Sequence, residues 1–244
     1  MNHEMREVLD LTAHFQTEAE KILRYELNPF VEGDSIAEHL ARAARLLTYL
    51  TPGLKEEFPD QPTLVGDIFV CLMVHDDDEI IEGFDIPTAI KNHDVKNDEE
   101  ISAFAQSISG LSEDRQKFLI ETFSSFRNKS SLAAKIAKAL DNITGNQLVI
   151  EQKIGLINPD SARFCIEYAQ KVTGVSKVID ELVTAQIEQV VEGREKLKAD
   201  QHEIWRISKV SNLPGTSKVK ELLDIDVMNH VLDKSKVYTT LVDL

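Results

Sequence analysis

Cysteine, aromatic residues and positive charge are all scarce in this 244-residue sequence. Its two cysteines, Cys71 and Cys165, stand far apart and outside any Cys-x-x-Cys spacing, which excludes a disulfide framework and a thiolate zinc site and suits a reducing compartment. Lys and Arg number 27 against 42 Asp and Glu, a formal net charge of -15 that repels polyanions and acidic membrane surfaces and so argues against nucleic-acid binding. No window approaches the roughly 20 apolar residues needed to span a bilayer, and residues 1–20 hold no apolar stretch of signal-peptide length. A cytoplasmic location with no membrane partner is the expectation. Glycine (10) and proline (7) are also few, and the alternating runs of β-branched residues that mark strands are scarce.

What is present is apolar periodicity. Hydrophobic residues make up 42% of the chain, enough for a sizeable core, and they recur at spacings of three and four. The fold class is therefore all-α. Breakers such as Asn28-Pro29, Thr51-Pro52-Gly53, Gly83 and Leu213-Pro214-Gly215 divide the chain into expected helices at 3–26, 35–50, 62–82, 97–109, 112–126, 130–152, 160–173, 175–199 and 216–233. The last of these is expected to dock separately or to serve as a partner-binding tail, and Trp205 before it reads as packing. No internal repeat or low-complexity segment is evident.

Polar residues interrupt three of the apolar stripes. In the second helix His39 lies beside the stripe of Ile36, Leu40, Ala43 and Leu47, and in the third Val65, Ile68 and Leu72 lead to His75, with Asp76 next to it and Glu79 one turn on. Near 130–152, Ala134 and Ala137 lead at the same spacing to Asp141, the small alanines allowing helices to approach closely. Imidazoles and carboxylates aimed at a core are costly unless paired or bound to a metal. His39, His75, Asp76 and Asp141 together offer two nitrogens and two oxygens, a set suited to Mn, Co, Fe, Ni, Zn or Mg.

Each residue alone has a plainer reading. His39 can be a core histidine, Asp141 can pair with Lys138, and Asp77 and Asp78 read as a solvated helix end. Cys71 reads as buried filler with no activating base at helical spacing. The second His-Asp pair, His93-Asp94, lies in the polar stretch Lys91 to Glu100 without apolar periodicity and reads as solvated loop.

The ordered set does have a counterpart. Asp34-Ser35-Ile36-Ala37-Glu38-His39, Val74-His75-Asp76 with Glu79 following, and Ala139-Leu140-Asp141 resemble the HD-domain metal-dependent phosphohydrolases, with the greatest likeness to the 5'-deoxynucleotidase group. The resemblance covers roughly residues 20–155. It implies an all-α HD-domain helical bundle at 1–155, with residues 156–244 forming C-terminal helices that complete or extend it. It implies that His39, His75, Asp76 and Asp141 hold one divalent metal ion. Glu79 and Asp85 take the positions of the family's catalytic carboxylates, and Arg24, fifteen residues before His39, takes that of a phosphate-contacting arginine, with Lys91 as a further cation. In the family's turn Gly directly precedes the Asp nine residues after the His, whereas here Phe84 intervenes and Asp85 comes ten after. The implied activity is release of phosphate from a small phosphoester, a nucleoside or deoxynucleoside 5'-monophosphate. Another nucleotide, or a non-catalytic binding or regulatory module on the same fold, is the competing reading. The family often dimerises, so a homodimer is the expectation carried over with it.

Overall fold

The computed structural model describes residues 3–25, 32–83, 93–156 and 159–210. Among these the elements are α1 (His3–Ala19), α2 (Ile36–Glu57), α3 (Leu64–Val74), α4 (Asp77–Glu82), α5 (His93–Ser107), α6 (Glu113–Asn128), α7 (Leu132–Glu151), a 3-10 turn (Ile154–Leu156), α8 (Pro159–Gln170) and α9 (Lys177–Val210). The described chain is all-α, as its periodicity requires. One isolated antiparallel bridge, Leu23 to Ser35, is the sole extended pairing among the described residues. No helix among them is long and apolar enough to cross a membrane.

The main core lies between α2, α3, α6 and α7. Ala43 and Leu47 of α2, Ile68 and Leu72 of α3 and Phe126 of α6 pack around Ala134, Ala137 and Leu140 of α7. The alanines are fully buried, so α3 and α7 lie close together where their polar residues face each other. Ala169 of α8 and Ile179 and Val183 of α9 belong to the same cluster, so the C-terminal helices share this core.

Several helix limits differ from those expected, the first two for tertiary reasons. The first helix stops at Ala19 instead of continuing through Arg24: Arg24 N–H donates to the Asp34 carbonyl at 2.8 Å, Ile36 N–H donates to the Ile22 carbonyl at 3.0 Å, and Tyr25 has φ 62. A Cβ at Gly33 would lie 1.8 Å from the Arg24 carbonyl oxygen, so glycine is required for this approach. The second helix runs on through Pro52 to Glu57 because Leu47 and Leu54 are buried on either side of the proline. The expected helix at 62–82 breaks at His75-Asp76 into α3 and α4. His93-Asp94, expected in a loop, begins α5, and the final described helix continues to Val210. Asp85, Lys91 and the helix expected at 216–233 lie outside the described residues, as does the side chain of Trp205.

Candidate metal centre

Helix α2 is anchored just ahead of His39. Ser35 is its N-cap and forms a reciprocal capping box with Glu38: Glu38 N–H donates to Ser35 Oγ at 3.2 Å, and Ser35 N–H donates to Glu38 Oε2 at 2.8 Å. Ile36 and Ala43, three before and four after His39, are fully buried, so the imidazole is carried into the core. His75 ends α3, and its Nδ1–H donates to the Leu72 carbonyl at 2.7 Å, which leaves Nε2 facing the cluster. Asp76 stands at the break, as the N-cap of α4, and Asp141 projects from the middle of α7.

These four side chains meet. His39 Nε2 lies 3.1 Å from Asp141 Oδ1 and 3.9 Å from Asp76 Oδ2, while His75 Nε2 lies 3.1 Å from Asp76 Oδ1 and 3.5 Å from Asp141 Oδ1. Potential ligand atoms of His39, His75 and Asp76 all fall within 4.8 Å of one another, and all three residues are buried. Two nitrogens and two carboxylates are a donor set that fits a divalent cation. Two buried atoms, His75 Nε2 and Asp76 Oδ2, lack a hydrogen bond of good geometry, which is where coordination would satisfy them.

Electrostatics point the same way. Burial works to lower the His75 pKa, but Asp76 and Asp141 outweigh it and push the imidazole up to about 10, so it is protonated between them at neutral pH. The carboxylates themselves move the other way: against the effect of burial, His75 and Arg24 hold Asp76 below its ordinary value, and Lys138 and His75 hold Asp141 well below. Positive charge is thus favoured at this point, and a divalent ion there would take the place of the His75 proton.

Three positive groups surround the cluster. Arg24 Nη2 lies 3.7 Å from Asp141 Oδ1, and its Nη1 donates to His39 Nδ1. Burial alone would lower its pKa, but Tyr25, Asp76, Asp141 and Glu79 raise it, so the guanidinium stays charged and Glu79 acts on the same group. Arg24 and Tyr25 pass close over α7 at Gly145, where a Cβ would meet Tyr25 Oη at 3.0 Å and Arg24 Nη2 at 3.6 Å. Lys138 Nζ donates to Asp141 Oδ2 at 2.6 Å, so the plainer reading of Asp141 as a lysine partner holds alongside its place among the histidines. Arg127 approaches from behind, donating to the His75 carbonyl.

The structure thus brings Arg24, His39, His75, Asp76 and Asp141 to one place and buries Glu79 on α4 beside them. The run after Asp76 is not a solvated helix end, as its composition suggested. Asp78 is 1% exposed and pairs with Arg127. Asp77 is half-buried and lines an apolar cavity of about 460 Å³ with Leu11, Phe15, Leu40, Phe104 and Leu119, and this burial holds its carboxyl well above the usual range. Cys71 is buried and its thiol pushed up to about 11, consistent with filler. Arg127 and Tyr25 escaped the sequence reading because nothing local marks them. Lys138 carried one signal, its position three residues before Asp141.

No curated protein matches the sequence. A solved structure, described as a predicted metal-dependent phosphohydrolase from Magnetospirillum magnetotacticum MS-1, is similar in fold, with a TM-score of 0.60 and 20% identity over 79% of this chain and 97% of that one. The HD domain family matches residues 20–183 of the 244, well over half of the chain and all four clustered side chains. On that match this chain belongs to the HD domain family.

Proposed function

We propose that this protein is a metal-dependent phosphohydrolase that releases inorganic phosphate from a nucleoside or deoxynucleoside 5'-monophosphate. The observation that carries the reading is the meeting of His39, His75, Asp76 and Asp141, drawn from three parts of the chain, with the charged Arg24 at their edge. The fold similarity to a protein described as a predicted metal-dependent phosphohydrolase supports it. His39, His75, Asp76 and Asp141 would hold a divalent ion, which when bound would supply Lewis-acid polarisation of a phosphoryl oxygen and lower the pKa of water there.

The chain's own residues do the rest. Arg24, partly exposed and permanently charged, is the group to receive the phosphate, with Lys138 as a second cation at the cluster. Such local charge is what admits an anion to a protein of net charge -15. Glu79, one turn after His75, exchanges a proton with the attacking water or the departing ester oxygen. Asp85 is the second candidate for that role.

Phosphate release from a panel of nucleoside and deoxynucleoside monophosphates, with Mn, Co or Mg added back to metal-stripped protein, tests this. Metal-dependent release from the monophosphates, with single-stranded DNA and RNA left intact, is expected. Cleavage of single strands at a comparable rate would overturn the substrate assignment, and stoichiometric metal binding with no release from any nucleotide would overturn the activity.

A further inference from the structure

On the side of His75 facing α6, one guanidinium is enclosed by two carboxylates and a main-chain carbonyl. Arg127, near the end of α6, pairs with Asp78 of α4, approaches Glu100 Oε2 of α5 with its Nε at 3.3 Å, and donates from Nη2 to the His75 carbonyl at 3.2 Å. Its guanidinium lies 4.9 Å from the centroid of the Phe123 ring. Asp78 and Glu100 are buried, with side chains 1% and 3% exposed, and the Arg127 side chain is 13% exposed.

The His75 carbonyl needs this donor because the helix breaks there. In an unbroken helix it would accept from Glu79 N–H, but that group donates to the Asp76 carbonyl at 3.0 Å. The break that turns His75 and Asp76 toward the cluster therefore frees a buried carbonyl, and Arg127 satisfies it. The neighbouring residue acts on the other end of His75: the Phe126 ring lies 5.0 Å from the imidazole, centroid to centroid. Two consecutive residues of α6 thus bear on the ring and the backbone of one candidate ligand.

We propose that Arg127 is a positioning residue of the metal centre, fixing the α3–α4 break so that His75 Nε2 and Asp76 present their ligand atoms to a common point. The inference rests on the metal-centre reading above and extends it to a residue with no part in binding metal itself. Arginine is required because a planar fork spans Asp78, Glu100 and the carbonyl together, whereas the point charge of lysine reaches only part of that set.

Cobalt(II) titration of the full chain, followed by its visible ligand-field absorption, provides the test. Arg127→Lys and the charge-neutral triple variant Arg127→Met/Asp78→Asn/Glu100→Gln are compared with Ile179→Ala, a packing change on α9. Cobalt affinity about 10- to 100-fold weaker, with an altered spectrum, is expected for the first two. Ile179→Ala should melt earlier yet keep the wild-type affinity and spectrum. Wild-type affinity and spectrum in Arg127→Lys and the triple variant would overturn the proposal, as would an equal loss of affinity in Ile179→Ala, which would reduce Arg127 to general stability. If the triple variant does not fold, Arg127→Lys decides alone. Failure of the wild type to bind cobalt would remove the metal centre itself, a distinguishable outcome.

Discussion

His75 Nδ1 is committed to the Leu72 carbonyl, and Nε2 faces the carboxylates without a hydrogen bond of good geometry, so the ring is oriented with one nitrogen left for a ligand role. His75→Ala should remove most bound metal, measured by elemental analysis, and abolish the rise in melting temperature that metal gives. At metal 100-fold above its Kd that rise corresponds to about 2.7 kcal/mol. Stoichiometric metal in the variant would remove the site, and His93→Ala should leave metal content unchanged. Glu79 makes a different prediction, since it is not needed to complete the ligand set. Glu79→Gln should keep metal content and nucleotide affinity while turnover falls roughly 10²- to 10⁴-fold, read by comparing kcat with KM. Turnover at the wild-type rate would make Glu79 a structural residue and pass the role to Asp85. Residue types at helical spacing were sufficient to find the four clustered side chains. They were not sufficient for Asp78, whose burial depends on Arg127, a partner 49 positions away in a different helix.

The elements that carry these residues are held by local devices of known size. The capping box at Ser35 starts α2 four residues before His39. Ser35→Ala should therefore lower stability by about 1 kcal/mol, measured by urea unfolding, and should weaken metal binding as well because the cap sets the start of the histidine's helix. An unchanged unfolding midpoint would show that the Leu23–Ser35 bridge alone holds that end. Helix limits were less legible than helix existence. Pro52 and Gly53 form a stop signal that burial of Leu54 and the packing of Val178 against Gly53 override. Conversely, the apolar stripe of α3 runs to His75 with no breaker in it, and the chain bends there because Arg127 and Asp76 take up the backbone groups that the bend frees.

For the molecule as a whole, the cluster of His75, Asp76 and Asp141 links stability to pH. In metal-stripped protein His75 has a raised pKa, so its contribution to stability is complete below its ordinary value of 6.5 and is lost as pH rises through about 10. Asp76 and Asp141 are depressed, so theirs is present above the ordinary 3.8 and is lost as pH falls below it. Melting temperatures from pH 7 to 9 should fall toward alkaline pH in stripped protein and hold or rise in cobalt-loaded protein, because metal takes the place of the His75 proton. Parallel profiles for the two forms would contradict this.

The sequence by itself determined the helical class and the inward faces of α2, α3 and α7 that carry His39, His75 and Asp141, because each depends on residue type at a spacing of three or four along one element, while Asp76 was marked by its place beside His75. Only the tertiary structure decided that those faces converge and that Arg24 leaves its helix to join them through a bridge requiring Gly33. It also decided that α3 ends at His75. These features arise from contacts between segments far apart in the chain, in which a buried backbone group or charge must find its partner wherever packing places one. No local pattern encodes that pairing.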